Sequence, residues 1–452
     1  MIVRTVGGEA TGKRAPVGQL SPQAWMLDDR THRVVAALAA GGAEVRFVGG
    51  CVRDALLHRP VKDIDIATPE PPEVVMQRLA DAGLRAVPTG IDHGTVTALA
   101  DGMAFEVTTL RRDVATDGRR AQVAFTDCFR EDAGRRDFTM NALSASPDGA
   151  VYDYFDGLAD LAARKVRFIG RAQQRIEEDY LRILRFFRFH AHYGVGDPDH
   201  DALKACNATA EGLVQLSGER VRDELLKILL APYPADVFVI MRGERVLDQV
   251  LPEAHDIGRL RVLAWLETTG LRRPWLAPDP LRRLAAVLTV SRPQAQAVAE
   301  RLRLSNADRD RLLDLSGPRD GEPEPDAAAP PAVQRQVIYR LGQTRARDRI
   351  LLLWAAERSA EGHTNSARTG AWTRLLDLAA EWVPPSLPVQ GRDAVAAGIP
   401  PGPAVGEALR TAEAAWLASD FGLDRDALLT LLRQAAADGG DGGGEGGDGA
   451  GV

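Results

Sequence analysis

The spacing of apolar residues changes several times along the first 110 residues, and each change marks an element. Residues 22–40 carry apolar side chains at helical intervals and predict a helix, and 44–48 predict a short strand entering Gly49-Gly50. Residues 52–57 predict a helix, 64–67 a strand alternating at period two, 73–82 a helix and 95–99 a third strand. Asp101-Gly102 is a hairpin turn signal leading into a strand at 105–110. Beyond about residue 170 the character changes. Across 171–230 and 259–315 the apolar residues recur at three and four with few β-branched runs, which predicts packed helices. The expected fold class is α+β, with a small mixed α/β head ending near Ala145 and an all-α neck, body and tail behind it.

Breaks in this pattern suggest an N-terminal extension and helix at 1–42, a head at 43–150, a neck at 151–235 and a helical body and tail at 236–437. The segment 317–331 holds five prolines and four acids and predicts an exposed loop between helical parts. Residues 438–452 are almost wholly glycine and acid and are expected to stay disordered, because they cannot bury enough surface to offset their ordering entropy.

Composition narrows the classes. A chain of 452 residues, 45% apolar, is long enough for several cores. Cys51, Cys128 and Cys206 lie far apart, without zinc-like or disulfide-like spacing, so a reducing, cytoplasmic setting is expected. No secretory leader and no apolar run of the ~18 residues a membrane span needs is visible, so no membrane association is expected. The net charge of −7 argues against indiscriminate coating of nucleic acid but says little about a local groove. Only five of the 56 basic residues are lysine, a bias that a GC-rich genome explains as well as phosphate binding does.

The most informative stretch is RFVGGCVRDALLHRPVKDIDIAT, residues 46–68. Asp63 and Asp65 are one residue apart on the expected strand, so both carboxylates should leave the same face while Ile64 and Ile66 enter a core. Alternating acids and isoleucines alone would be an ordinary half-exposed strand. Paired acids repel, and divalent cations that also bind substrate phosphates relieve that repulsion. Thirteen residues upstream, Gly49-Gly50 lies between a strand and a helix, where glycine lets backbone approach a triphosphate. Arg53 can add charge at the phosphates, and Asp54 is expected to brace a neighbouring arginine or the backbone.

This stretch resembles the signature of the polymerase-beta-like nucleotidyltransferase superfamily, and specifically its class II branch of CCA-adding tRNA nucleotidyltransferases and bacterial poly(A) polymerases. The resemblance implies that Gly49 and Gly50 hold the nucleoside triphosphate and that Asp63 and Asp65 bind catalytic Mg²⁺. Glu106, in the strand 105–110, is either a third acid near the metals or a salt-bridge partner. That strand resembles the one before a mobile loop, here carrying Arg111, Arg112, Arg119 and Arg120. Residues 135–142, RRDFTMNA, resemble the block that contacts ribose and phosphates, which makes Arg136, Asp137 and Asn141 candidates. Asp153, Asp156, Gly157 and Asp160-Leu161 resemble a hinge between head and neck.

A helix is expected over 177–189, with Tyr180, Leu184 and Phe187 on an apolar stripe and Asp179, Arg182 and Arg185 opposite. By spacing alone Asp179 and Arg182 form an intrahelical ion pair. By resemblance they present donors and acceptors to the edge of cytosine or adenine. Residues 217–224 resemble the last shared block, a helix start capped by Ser217. Weaker likenesses at 389–393 and 398–406 support the bacterial CCA-adding branch.

The activity implied is addition of CCA to the 3′ end of tRNA from CTP and ATP by two-metal nucleotidyl transfer, with the helical body binding tRNA and no obligate protein partner. The alternatives are a poly(A) polymerase, a CC- or A-adding specialist, and a non-enzymatic RNA-binding scaffold. His255-Asp256 lacks the further histidines and acid a metal-dependent phosphohydrolase site requires, and His190 and His192, after a helix rich in Phe, read as packing or RNA-facing residues and not as metal ligands.

Overall fold

The computed structural model describes residues 15–117, 120–362 and 366–440. The expectations for residues 1–14, for Arg119 and for the tail past Gly440 fall outside them. The chain divides into two compact units, residues 1–257 with 298–304, and residues 258–297 with 305–452.

The first unit holds the strands β1 (Gly18–Gln19), β2 (Arg46–Val48), β3 (Ile64–Thr68), β4 (Arg85–Gly90), β5 (Thr95–Ala100), β6 (Met103–Thr109), β7 (Arg111–Asp117), β8 (Arg120–Phe125), β9 (Ser144–Ala145) and β10 (Ala150–Tyr152). Eight of them form one mixed sheet in the order β1-β10-β9-β2-β3-β6-β5-β4, and β7 and β8 pair separately. β3 and β6 are parallel neighbours, whereas β2 and β5 flank them antiparallel. The alternation read in β3 has its physical counterpart: Ile64 and Ile66 are 3% and 0% exposed, while Asp65 between them is half-buried. Asp101 and Gly102 both take positive φ, 45° and 80°, and close the tight β5–β6 hairpin as expected.

Its helices are α1 (Asp29–Ala39), α2 (Gly50–Leu56), α3 (Pro72–Asp81), α4 (Phe129–Gly134), α5 (Gly157–Ala162), α6 (Ala172–Glu178), α7 (Leu181–Tyr193), α8 (His200–Thr209), α9 (Gly218–Leu229), α10 (Pro234–Gly243) and α11 (Val246–Val250). The second unit is helical: α12 (Ile257–Trp265) enters it, followed by α13 (Pro280–Leu288), α14 (Arg292–Arg301), whose residues 298–301 are counted with the first unit, α15 (Asn306–Leu315), α16 (Pro331–Leu341), α17 (Gln343–Glu361), α18 (Ser366–Glu381), α19 (Gly391–Ala396), α20 (Pro403–Ala418) and α21 (Arg425–Gly440). Val389, Ile399, Trp416, Leu428 and Leu432 build a core within the second unit.

Several expectations change. The first helix starts at Asp29, not near residue 22, because the Asp28 side chain caps it by accepting from the Arg30 N–H. The arginine-bearing segment after β6 is a hairpin, β7–β8. The edge strand β4 was not foreseen: Pro88 interrupts its pattern, and the pairing with β5 shifts register between Val87 and Gly90. The helix expected over 177–189 breaks at Asp179, whose φ of −159° and ψ of 107° are extended. Ser217 occupies the cap position of α9 without a side-chain cap hydrogen bond. α21 runs three residues into the segment expected to be disordered.

An aromatic cluster ties the sheet side of the first unit to α7. Phe138 lies 4.9 Å from Phe168 and 5.0 Å from Phe189 between ring centroids, and Phe138 and Phe186 are fully buried. Its burial removes ring surface from water and holds the 135–141 segment against α7. Phe138→Ala is expected to cost ~3–5 kcal/mol, read as an earlier first transition in urea unfolding followed by far-UV circular dichroism.

Candidate active site

Asp63 precedes β3 by one residue and is exposed; it does not lie on the strand as expected. Asp65 sits within β3, and the parallel register sets it beside Glu106 of β6. Neighbouring residues in register share a sheet face, so these two carboxylates are held together by backbone pairing. Burial, then the charge of Glu106, pushes the Asp65 carboxyl up to about 6, with Asp63 adding to the rise and Arg136 and Arg53 opposing it. Among the described residues, none of the Asp63, Asp65 and Glu106 carboxylates has a hydrogen-bond or salt-bridge partner.

Their surroundings are the opposite. Asp54, Asp132, Asp137, Glu178 and Asp179 each face an arginine at 2.5 to 2.8 Å. A hard divalent cation that completes its shell with water and phosphate oxygens needs only one or two carboxylates of this uncompensated kind. No three His, Cys, Asp or Glu side chains among the described residues stand close enough for an all-protein cage, which such a cation does not need.

Gly49 follows β2 and precedes α2 with φ 71° and ψ −120°, a conformation suited to glycine. A Cβ there would meet Arg136 Nη1 at 2.6 Å, so the missing side chain lets the guanidinium lie against the turn. Arg136 Nη1 also donates to the Asn141 carbonyl at 3.3 Å. Gly50 opens α2, and a Cβ there would have only Arg53 within 4 Å, at 3.8 Å.

Arg53 is 7% exposed, and its guanidinium is engaged within the protein. It donates to both Asp54 oxygens at 2.9 and 2.8 Å and to Asn141 Oδ1 at 2.7 Å, and it covers the Tyr193 ring at 4.2 Å. Asp54 is thus the arginine brace expected of it. Asn141 Nδ2 donates to Asp137 Oδ1 at 2.9 Å, and Arg185 grips Asp137 Oδ2 through Nε at 2.7 Å and Nη2 at 2.5 Å. Burial works to raise the Asp137 carboxyl, but Arg185 and the Asn141 hydrogen bond outweigh it and hold it below the ordinary carboxylate range. A continuous relay, Asp54–Arg53–Asn141–Asp137–Arg185, therefore links α2, the 135–141 segment and α7.

The helix break separates the residues expected to pair. Asp179 Oδ2 receives Arg220 Nη2 from α9 at 2.7 Å, and Asp179 Oδ1 accepts the Leu181 N–H at 3.1 Å. Arg182 Nη1 instead donates to Glu178 Oε2 at 2.5 Å and to the Arg175 carbonyl at 2.7 Å. Arg175 shares Glu178 through a second 2.5 Å contact and reaches the Arg136 carbonyl at 2.7 Å. Tyr180, at the break, packs its ring where a Cβ of Gly212 would stand, 2.1 Å away. Glu178, Arg175 and Arg220 were not singled out as site residues. The spacings of three and four among Arg175, Glu178 and Arg182 carry a signal for the first two, whereas local spacing carries none for Arg220. His192 Nε2 pairs with the Lys227 carbonyl at 2.8 Å, a packing role in keeping with its rejection as a ligand.

Residues 45–167 match the family described as the poly A polymerase head domain, and residues 197–257 match the probable RNA and SrmB-binding site of polymerase A. The mitochondrial CCA tRNA nucleotidyltransferase 1 of Mus musculus is 33% identical over 398 residues, covering 86% of this chain and 87% of the mouse protein. The chain belongs to the CCA tRNA nucleotidyltransferase family. The CCA-adding enzyme of Streptococcus gordonii is 45% identical over 202 residues, 44% of this chain and 49% of that protein. The crystal structure of the Bacillus stearothermophilus CCA-adding enzyme in complex with CTP superposes with a TM-score of 0.72 at 27% identity, covering 92% of this chain and all of that one. Membership makes this chain a nucleotidyltransferase and implies a divalent cation.

Two tests of the nucleotidyltransferase site follow from its geometry. Because the Asp65 carboxyl is raised on folding, the stability it contributes is present at acid pH and lost as pH rises through about 6. Asp65→Asn should therefore melt at a higher temperature than wild type at pH 7.5 in EDTA, the gap narrowing as pH falls below about 6 and closing near pH 4; an unchanged or lower midpoint at pH 7.5 would show that the carboxylates are not in conflict. Gly212→Ala should drive the Tyr180 ring out of place and disturb Asp179 beside it. The measurement is the ratio of CTP to ATP turnover, expected to shift several-fold while thermal stability falls by about 1–3 kcal/mol.

Proposed function

We propose that this chain adds CCA to the 3′ end of tRNA from CTP and ATP without a nucleic-acid template. The observation that carries the reading is the set of three uncompensated carboxylates in and just before the central strands β3 and β6 of the head sheet, within a chain matched over most of its length by CCA tRNA nucleotidyltransferases. The step joins the primer 3′-oxygen to the α-phosphorus and releases pyrophosphate, with the hydroxyl proton passing to solvent.

Asp63 and Asp65 are assigned to Mg²⁺, with Glu106 as a further oxygen donor beside Asp65. When bound, the cations supply positive charge at the attacking oxygen and at the leaving pyrophosphate. Gly49 and Gly50 let the triphosphate approach the backbone, and Arg136 places a guanidinium beside that turn. Arg53, Asn141, Asp137 and Arg185 hold the 135–141 segment in position for ribose and phosphate contacts.

Asp179 and Arg182 are assigned to the base. Cytosine and adenine both carry an exocyclic amine beside an acceptor ring nitrogen; a carboxylate accepts from the first and a guanidinium donates to the second. Uracil and guanine present a carbonyl and an N–H there, which would leave both side chains facing like partners. Holding Asp179 by Arg220 and Arg182 by Glu178 fixes that pattern before the nucleotide arrives.

The helical parts are assigned to tRNA by shape and backbone charge. Cytoplasmic residence is proposed from the three free thiols. Among the described residues no helix is long and apolar enough to cross a membrane.

A poly(A) polymerase is the second reading, favoured by the match of residues 45–167 to a poly A polymerase head domain. Primer extension on a tRNA transcript lacking its last three nucleotides separates the readings. Two C followed by one A, abolished in Asp65→Ala, is expected. Long A tails from ATP alone would establish polyadenylation, incorporation of only C or only A a specialist, and no cation-dependent addition the scaffold.

A further inference from the structure

Tryptophans in the second unit fall into two groups. Trp354, Trp372 and Trp416 are 1%, 3% and 2% exposed and Trp382 is half-buried against Phe421, whereas Trp265 and Trp275 are 42% and 39% exposed. The two exposed rings share an arrangement. Arg358 Cζ lies 4.4 Å from the Trp265 ring centroid and Arg347 Cζ lies 5.5 Å from that of Trp275, so each indole carries one guanidinium.

Both arginines belong to α17 and stand eleven positions apart. At 100° and 1.5 Å per residue they leave the helix within about 20° of each other and roughly 16 Å apart along its axis. Among the described residues neither has a carboxylate partner, whereas Arg273, Arg282, Arg283, Arg311, Arg335 and Arg345 of the same unit each pair with an acid. Trp265 is also held in place from its own segment. It ends α12 ahead of a wide turn at Leu266–Gly270, and a Cβ on Gly270 would stand 2.8 Å from the indole.

We infer that the Trp265–Arg358 and Trp275–Arg347 pairs form a stacking platform for unpaired bases of the tRNA. The inference rests on tRNA being the substrate. Charge decides between occupants. An apolar protein surface seated here would desolvate two guanidinium groups without supplying an anion, which is unfavourable. RNA brings a π face for each indole and a phosphate for each arginine. Duplex regions hide their base faces within the stack, so the occupant is a loop, where bases are free to splay onto aromatic rings. Fixing the indoles beforehand lowers the ordering cost of binding.

The test uses the full chain with Trp265→Leu, Trp275→Leu, the double variant, and Trp→Phe at each site. Two RNAs are compared, a tRNA transcript lacking CCA and a loop-free duplex with the same 3′ end, each in a filter-binding Kd measurement and in CTP incorporation. Base–aromatic stacking has typical strengths that predict a tRNA Kd about 10-fold or more weaker per leucine. The ratio of tRNA to duplex turnover should fall with it, through KM for tRNA and not kcat, and phenylalanine should restore most of the loss.

An unchanged tRNA Kd in the double variant would overturn the platform. Equal weakening on tRNA and duplex would also overturn it, since that is the signature of a general phosphate contact or of misfolding. A change in self-association alone, seen by analytical ultracentrifugation, would assign the face to a second copy of the chain and overturn it too. Failure of wild type to extend either RNA would instead strike the proposed function, while the Kd comparison would still decide the platform.

Discussion

The buried carboxylate of Asp137 constrains the whole catalytic half of the chain. At 7% exposure it cannot stay ionised without partners, and it draws them from three places: the Phe138 N–H at 2.9 Å, the Asn141 amide and the Arg185 fork. Removing one partner from such a pair is far costlier than never burying it, because an uncompensated charge would remain. The consequence is geometric. Arg185 fixes the rotation of α7 about its axis, Asn141 passes the restraint to Arg53, and the phenylalanines around Phe138 fill the space beneath. The head sheet and the segment bearing Asp179 and Arg182 are thereby referenced to one another through side chains that need not touch a substrate.

Much of this was legible in the primary structure where short-range periodicity carried it. The alternation at Ile64 and Ile66, the Asp101-Gly102 turn and the β2–turn–α2 entry all depend on residues within a few positions of one another. Asp63 fell just outside its strand because strand ends are set by backbone pairing, and the β3 ladder with β6 begins at Ile64. The break at Asp179 was invisible to a helical reading of 177–189, since its apolar stripe continues through the interruption. What opens the helix there is tertiary: Arg220 from α9 takes the carboxylate, and Gly212 leaves room for the Tyr180 ring. Contacts between residues 32 to 41 positions apart leave no trace in local spacing, which is also why Arg220 was not read as part of the site.

The second unit solves its charge problem differently. Glu267 is fully buried and receives Arg282 at 2.7 Å and Arg283 at 2.6 Å, and Arg282 continues to Asp348 at 2.6 Å. Burial still outweighs the two arginines, so the Glu267 carboxyl lies above its usual range. This network gives α13 and α17 a directional lock that apolar packing lacks. It also distinguishes arginines used as internal fasteners from Arg347 and Arg358, which lie over the exposed indoles.

The separate anchoring of Asp179 and Arg182 has an evolutionary consequence. On the proposed reading, the acceptor half of the base-reading pair is steadied by α9 and the donor half by the turn of chain around Glu178. A lineage can thus retune one half by drift at Arg220, far along the chain and outside the nucleotide's reach, while the other half stays under its own restraint. Changes in nucleotide preference need not begin at the residues that read the nucleotide.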